Sequence, residues 1–339
     1  MGTQEARILV IGAGVNGSIC AARLRAAGVD VTVLARGKRV EEIRSQGLVL
    51  EDVLRNVRSV TPVPVVDELR PDDVYDYVLV VVRKNQVAAL LPTLQANRSP
   101  NIVFMVNNPS GPGEWIEALG RERVMLGFVF GAGRREGSVI RGITELNKGL
   151  AGSLMRTPFG ETDGAVTPRL QRLVGLFNDA GLHAGVSTRI TDYLATHAAT
   201  VAVFASFAMA RGYDRASMAR YTRADLGLMV EAMREMLPVL RANGIRVTPK
   251  GMAAWMAVPR WIHVELLRVM LPSRFTEAGA AYHISQAPDE MEQLIREARV
   301  LVEKSGLKVP ALREVLWEQP EAVVGQLAVA TVQGRPPGF

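Results

Sequence analysis

Short, continuous apolar runs recur through the first half of the chain, at residues 8–11, 78–82 and 102–106, and a further strand reads over 30–34. Runs of that length without polar alternation mark strands buried on both faces of a parallel sheet. Between them, residues 18–26 and 87–94 read as helices. Residues 49–66 are β-branched and polar by turns, with Pro62 and Pro64 limiting any helix, and predict short strands or a hairpin on that sheet. Residues 124–130, 138–140 and 153–155 are strand-like and separated by glycine-rich turns, which predicts antiparallel strands completing the sheet edge. An amphipathic helix over 167–178 carries Leu170, Leu173, Val174 and Phe177 on one face, and a last short strand falls at 182–186. After Ser187 the alternation stops. Helices alone follow, over 190–210, 224–242, 261–270, 289–304 and 311–317. That change predicts two domains, an α/β domain over 1–187 and an all-α domain over 188–330, with 331–339 as a loose tail.

The first strand runs into Gly12, Gly14 and Gly17 at G-x-G-x-x-G spacing, and a helix and a second strand follow in order. Gly12 permits the tight turn, Gly14 lets the backbone approach a pyrophosphate, and Gly17 lets the helix pack close to the sheet. The N–H groups of the helix start, at Val15, Asn16 and Gly17, then face the phosphates. The pattern predicts a Rossmann-type dinucleotide site; a glycine turn without a ligand is the alternative.

Composition narrows the class. The chain has 339 residues, 48% of them hydrophobic, and one cysteine. Cys20 has no partner for an internal disulfide and reads as packing in the first helix, which fits a cytoplasmic protein. No apolar run reaches the length of a membrane span; residues 198–210, the richest stretch, read as a buried helix. The net charge of +6 comes from arginines scattered along the chain, without a basic block interleaved with aromatics. That pattern predicts an anionic small ligand and neither nucleic-acid nor membrane binding. No metal site is assigned.

Charge matters most at one place. Where an NAD-binding fold carries an acid for the adenosine ribose, this chain has Arg36, Lys38 and Arg39. A guanidinium there suits the 2′-phosphate of NADP, and Arg36 is the candidate; a solvated basic loop is the alternative. Later strands end at Arg83-Lys-Asn-Gln86 and Asn107-Asn108-Pro-Ser-Gly111. Polar residues at the carboxyl ends of parallel strands are where such sheets bind ligands, so Arg83, Gln86, Asn107 and Asn108 are candidates by position; a loop or capping role for each is the alternative.

The order of these parts resembles the ketopantoate reductase family over nearly the whole chain. The resemblance rests on Gly12, Gly14 and Gly17, on Arg36, and on Arg83-x-x-Gln86 where the family has Lys-x-x-Gln. It rests also on the Asn108-Pro-Ser-Gly111 loop, and on Glu290 in a helix that runs to Gly306-Leu-Lys-Val-Pro310. It implies an NADPH-dependent reductase of a small 2-oxo acid, with the Asn loop contacting cofactor and substrate. Glu290 would orient the substrate hydroxyl, and the helical domain would bind substrate and form a homodimer. The cleft would lie between the domains, lined by Asn108 and Glu290.

The chain departs from the family where the catalytic Lys should be. Tyr193-Leu-Ala195 aligns with its Trp-x-Lys, and Ala199 and Val203 with its two Asn. His197 titrates in a useful range and is the candidate replacement, although two residues from Ala195 it sits on another helical face; a packed histidine is the alternative. His283 and Tyr193 are further candidates. Three readings therefore stand: the family reductase; a dehydrogenase of the same architecture with another substrate, of hydroxyacid or opine and imine type, and another proton donor; and an NADP-binding protein without catalysis.

Overall fold

The computed structural model describes residues 6–129, 132–144 and 156–317. The chain forms two compact units, one of residues 1–195 with 278–290, the other of 196–277 with 291 onward. The strand expected at 153–155, the end of that at 124–130, and the tail at 331–339 lie outside the described residues.

In the first unit the apolar runs become β1 (Arg7–Ile11), β2 (Asp30–Leu34), β6 (Tyr77–Val80) and β7 (Ile102–Phe104). With β5 (Val65–Val66), β8 (Val124–Gly127), β11 (Thr157–Glu161) and β12 (Ala184–Val186) they form an eight-stranded sheet in the order β12-β11-β8-β7-β6-β1-β2-β5. Strand pairing from β5 through β8 is parallel, and only β11 joins β8 antiparallel. Both faces are covered, which is why the runs are continuous. Ile8 and Val10 point into one core with Phe159 and Phe177, while Leu9 and Ile11 point into another with Phe104 and Trp115. Around the sheet lie α1 (Val15–Ala26), α2 (Lys38–Gln46), α3 (Lys84–Ala96), α4 (Gly113–Leu119) and α5 (Pro168–Asp179), the last capped by Thr167 through its bond from the Leu170 amide.

Two expectations need correction. The hairpin β3 (Leu48–Asp52) and β4 (Val57–Thr61) does not join the main sheet, and β9 (Ala132–Glu136) and β10 (Val139–Ile143) do not complete its edge. The two hairpins pair with each other as a second sheet, β4-β3-β10-β9. A buried carboxylate fixes this. Asp52 accepts bonds from the Leu54 and Arg55 amides in its own turn and from the amide and hydroxyl of Thr144 at the end of β10. Arg141 on β10 also pairs with Glu51 on β3.

The second unit is helical. Helix α6 (Ile190–Arg211) gives its first residues to the first unit and the rest to the second. It is long and apolar enough to cross a membrane by length and composition, and 67% of its most apolar window is buried within the protein. Then come α7 (Arg223–Ala242), α8 (Arg260–Met270) and, after α9 (Tyr282–Gln286) of the first unit, α10 (Pro288–Ser305), in this unit from Met291, and α11 (Pro310–Trp317). Within that unit Ser206 donates to the Val315 carbonyl and Glu235 accepts from the Leu312 amide, tying α6 and α7 to α11.

Residues 278–290 return to the first unit. Ala278 and Tyr282 pack with Ile143 of β10, and the Arg134 guanidinium of β9 lies 4.6 Å over the Tyr282 ring. A π-helical turn, Glu277–Ala281, leads into α9, and Ala287 leaves the helical region before Pro288 begins α10.

Candidate active site

Sheet order brings the carboxyl ends of β7, β6, β1 and β2 side by side, and the order in which strands are added to the sheet reverses between β6 and β1. That reversal is where open α/β sheets hold their ligands. At the end of β1, Gly12 has φ 107°, and a Cβ on it would lie 2.3 Å from the Val81 carbonyl oxygen. A Cβ on Gly17 would fall 1.8 Å from the Gly12 oxygen, so both glycines are required by the protein's own packing. Gly14 differs. It is exposed, and a Cβ there would meet nothing within 4 Å. It precedes α1 with no side-chain cap for the first-turn amides of Val15, Asn16 and Gly17. These residues fit a dinucleotide pyrophosphate.

The basic triplet divides. Arg36 and Lys38 are exposed just past β2. Arg39 is no loop residue: it is buried in the first turn of α2. Its guanidinium donates to the Ala13 carbonyl, the Ser18 hydroxyl, the Ser138 carbonyl and the Glu42 carboxylate. Burial holds it below the ordinary arginine range, and neighbouring Arg135 adds to that. It pins the glycine turn from beneath, leaving Arg36 as the nucleotide candidate.

After β6, Gln86 accepts a bond from the Arg83 amide and caps α3. Arg83 itself reaches the returning segment, donating to both Asp289 oxygens at 2.9 and 3.2 Å and to the Gln286 carbonyl. Asn85 donates to Asp289 at 2.8 Å. Burial would raise the Asp289 carboxyl, but Asn85, Arg83 and the Glu290 amide outweigh it and hold the group below the usual carboxylate range. Sequence reading missed Asn85, Gln286 and Asp289 because their partners are more than 200 residues away.

After β7, Asn107 meets Glu290. Its Nδ2 donates to Glu290 Oε1 at 3.1 Å, and both side chains are buried, Glu290 at 5% exposure. Asn108 folds back instead, donating to the Gly111 carbonyl at 2.7 Å. The Oδ1 atoms of both asparagines are buried and receive no hydrogen bond. Such acceptors are costly unless a ligand supplies donors, so this corner suits a hydroxyl or amide. The second Glu290 oxygen faces His283 Nε2 at 3.7 Å. Glu290, Asn107 and Asn108 all lie in the first unit.

His197 lies in the second unit, half-buried on α6, where its carbonyl accepts from the Thr200 hydroxyl. Ala195, Ala199 and Val203 are buried on the same helix and carry no polar atom. Tyr193 packs 6.3 Å from Phe128, and burial pushes its hydroxyl above the ordinary tyrosine range.

Among known proteins, the pattern described as ketopantoate reductase PanE/ApbA matches residues 8–149. No curated protein matches the sequence. Of solved structures, 2-dehydropantoate 2-reductase from Geobacter metallireducens GS-15 superposes with a TM-score of 0.72 at 18% identity, covering 95% of this chain and 99% of that one. The enzyme of the same name from Methylococcus capsulatus gives 0.69 at 21% identity, covering 97% and 98%. D-mandelate dehydrogenase, solved with NADH and anilino(oxo)acetate, gives 0.70 at 14% identity, covering 92% and 96%. These likenesses show a shared fold, and residues 8–149 are similar to the ketopantoate reductase family.

Proposed function

We propose that this protein is an NADP(H)-dependent oxidoreductase that reduces the carbonyl of a small 2-oxo acid. The observation that carries the reading is the buried Asn107–Glu290 pair, with two unbonded asparagine oxygens, beyond the end of β7, which β6 alone separates in sheet order from β1 and the open Gly14 turn. A protein that only bound nucleotide would have no use for a buried carboxylate there.

The reduced nicotinamide, when bound, supplies the hydride. Gly12, Gly14, Val15, Asn16 and Gly17 hold its pyrophosphate and Arg36 its 2′-phosphate. The backbone turn ending in the Arg83 and Gln86 cap, with Asn107 and Asn108, forms the wall next to it. Glu290 accepts a hydrogen bond from the substrate hydroxyl, and Asn107 fixes its orientation. Ala195, Ala199 and Val203 offer no side-chain polar group at the positions that align with the family's Lys and two Asn, and we expect poor turnover of ketopantoate itself. We place the protein in the cytoplasm, in keeping with its single buried cysteine, and expect a homodimer from the family resemblance.

The test is oxidation of NADPH and NADH against glyoxylate, pyruvate, 2-oxoisovalerate, phenylglyoxylate and ketopantoate, with lactones and imines alongside. Turnover of a 2-oxo acid other than ketopantoate is the expected result. Turnover only of imines would favour the opine-type reading. Binding without turnover would favour the non-catalytic one.

A further inference from the structure

We propose that His283, paired with Glu290, is the proton donor of this site. The inference rests on the reductase reading and names the group that serves where the aligned helix offers only Ala195. On one straight helix, residues seven apart would be separated by about 10 Å along the axis. The break at Ala287 and Pro288 folds that distance away, so that His283 Nε2 stands 3.7 Å from Glu290 Oε2. That is too long for a direct hydrogen bond. It is a suitable gap for one oxygen to accept from Nε2–H and, once protonated, to donate to Oε2. The other Glu290 oxygen is held by Asn107, so the carboxylate cannot turn away without losing that bond. The Asn107 Oδ1 beside it lacks a donor. The imidazole is 37% exposed on its side chain, open both to a ligand and to reprotonation, whereas Glu290 is enclosed.

The step balances simply. The carbonyl carbon gains a hydride from the reduced nicotinamide, the C=O π pair moves onto oxygen, and that oxygen takes the Nε2 proton of the imidazolium. The neutral imidazole recovers a proton from water. The charged groups around His283 are Glu290 and Asp289 on α10, Arg83 bound to Asp289, and Arg134, Arg135 and Glu136 on β9, the strand packed against α9.

His283→Ala and His283→Lys test this against the 2-oxo acid panel, with cofactor affinity and melting temperature measured in parallel. His283→Ala should lower kcat about 100-fold or more, the range of a positioned general acid, with cofactor Kd unchanged. His283→Lys should recover at least tenfold of that and carry the alkaline limb of the pH–rate profile to higher pH, because an ammonium keeps its proton longer. Loss of kcat below threefold in His283→Ala, or no difference between the two variants, overturns the proposal. A second readout does not need turnover. With NADP⁺ present, the ¹⁵N signals of the His283 ring should shift on adding sodium mandelate or pantoate, and silence with both overturns the contact. A ring that responds in a protein that reduces no panel member would sink the reductase reading and leave the contact standing.

Discussion

Asn107 Nδ2 donates to Glu290 Oε1 at 3.1 Å across 183 residues of sequence. A strand end and a helix start, unrelated in sequence, thereby share one buried carboxylate. Glu290→Gln keeps the shape and removes the charge. We expect kcat to fall about 100-fold, with cofactor Kd unchanged and stability altered by less than about 1 kcal/mol. A variant that chiefly melts earlier would show a role confined to the helix terminus.

The glycines of the first turn separate into two kinds. Gly17→Ala places a methyl 1.8 Å from the Gly12 oxygen and should cost about 3 kcal/mol or more, read by thermal or urea unfolding. Gly14→Ala meets nothing in the protein, so its melting temperature should hold while NADPH affinity falls. An NADPH affinity unchanged in Gly14→Ala would place the pyrophosphate elsewhere.

Arg36 and Arg39 make a matched pair of the same residue type. Arg36→Ala should weaken NADPH about 10- to 150-fold, the worth of a charge-assisted contact, and NADH less than threefold. Arg39→Ala strips the Glu42 carboxylate and three oxygens of their donor and should destabilise the fold by about 3 kcal/mol. Equal affinities of the unsubstituted protein for NADPH and NADH would contradict the assignment of Arg36.

Acid should weaken the second sheet through Asp52. Burial raises its carboxyl, but the Thr144 amide and hydroxyl and the Arg55 and Leu54 amides prevail and hold it below the ordinary range. Its folded pKa is therefore the lower one, and the unfolded chain takes up the proton first. The stabilisation is complete above the unfolded value near pH 3.9 and is lost as pH falls through the folded value. At neutral pH, Asp52→Ala should cost about 2–3 kcal/mol, and the variant's unfolding free energy should depend less on pH in acid than the parent's.

The sequence by itself determined what is local or periodic. The buried strands showed in unbroken apolar runs because both sheet faces are covered, and the glycine turn in a spacing that backbone contacts of 2.3 and 1.8 Å enforce. The helices after residue 187 showed in their period, and Glu290 in its distance from Gly306. Only the tertiary structure decided what depends on distant partners. Arg39 looks like its neighbour Arg36 until Ala13, Ser18 and Ser138 close around it. The strand-like stretches at 49–66 and 138–140 carry the right residues for either sheet, and the Asp52–Thr144 bonds choose between them. Asn107 and Asn108 are the same residue in adjacent positions beyond the end of β7. One meets Glu290 and the other Gly111, a choice made by a segment that returns from 278–290. His283 owes its place to the same return, since a helix period would keep it two turns from Glu290 and the break at Ala287 removes that separation.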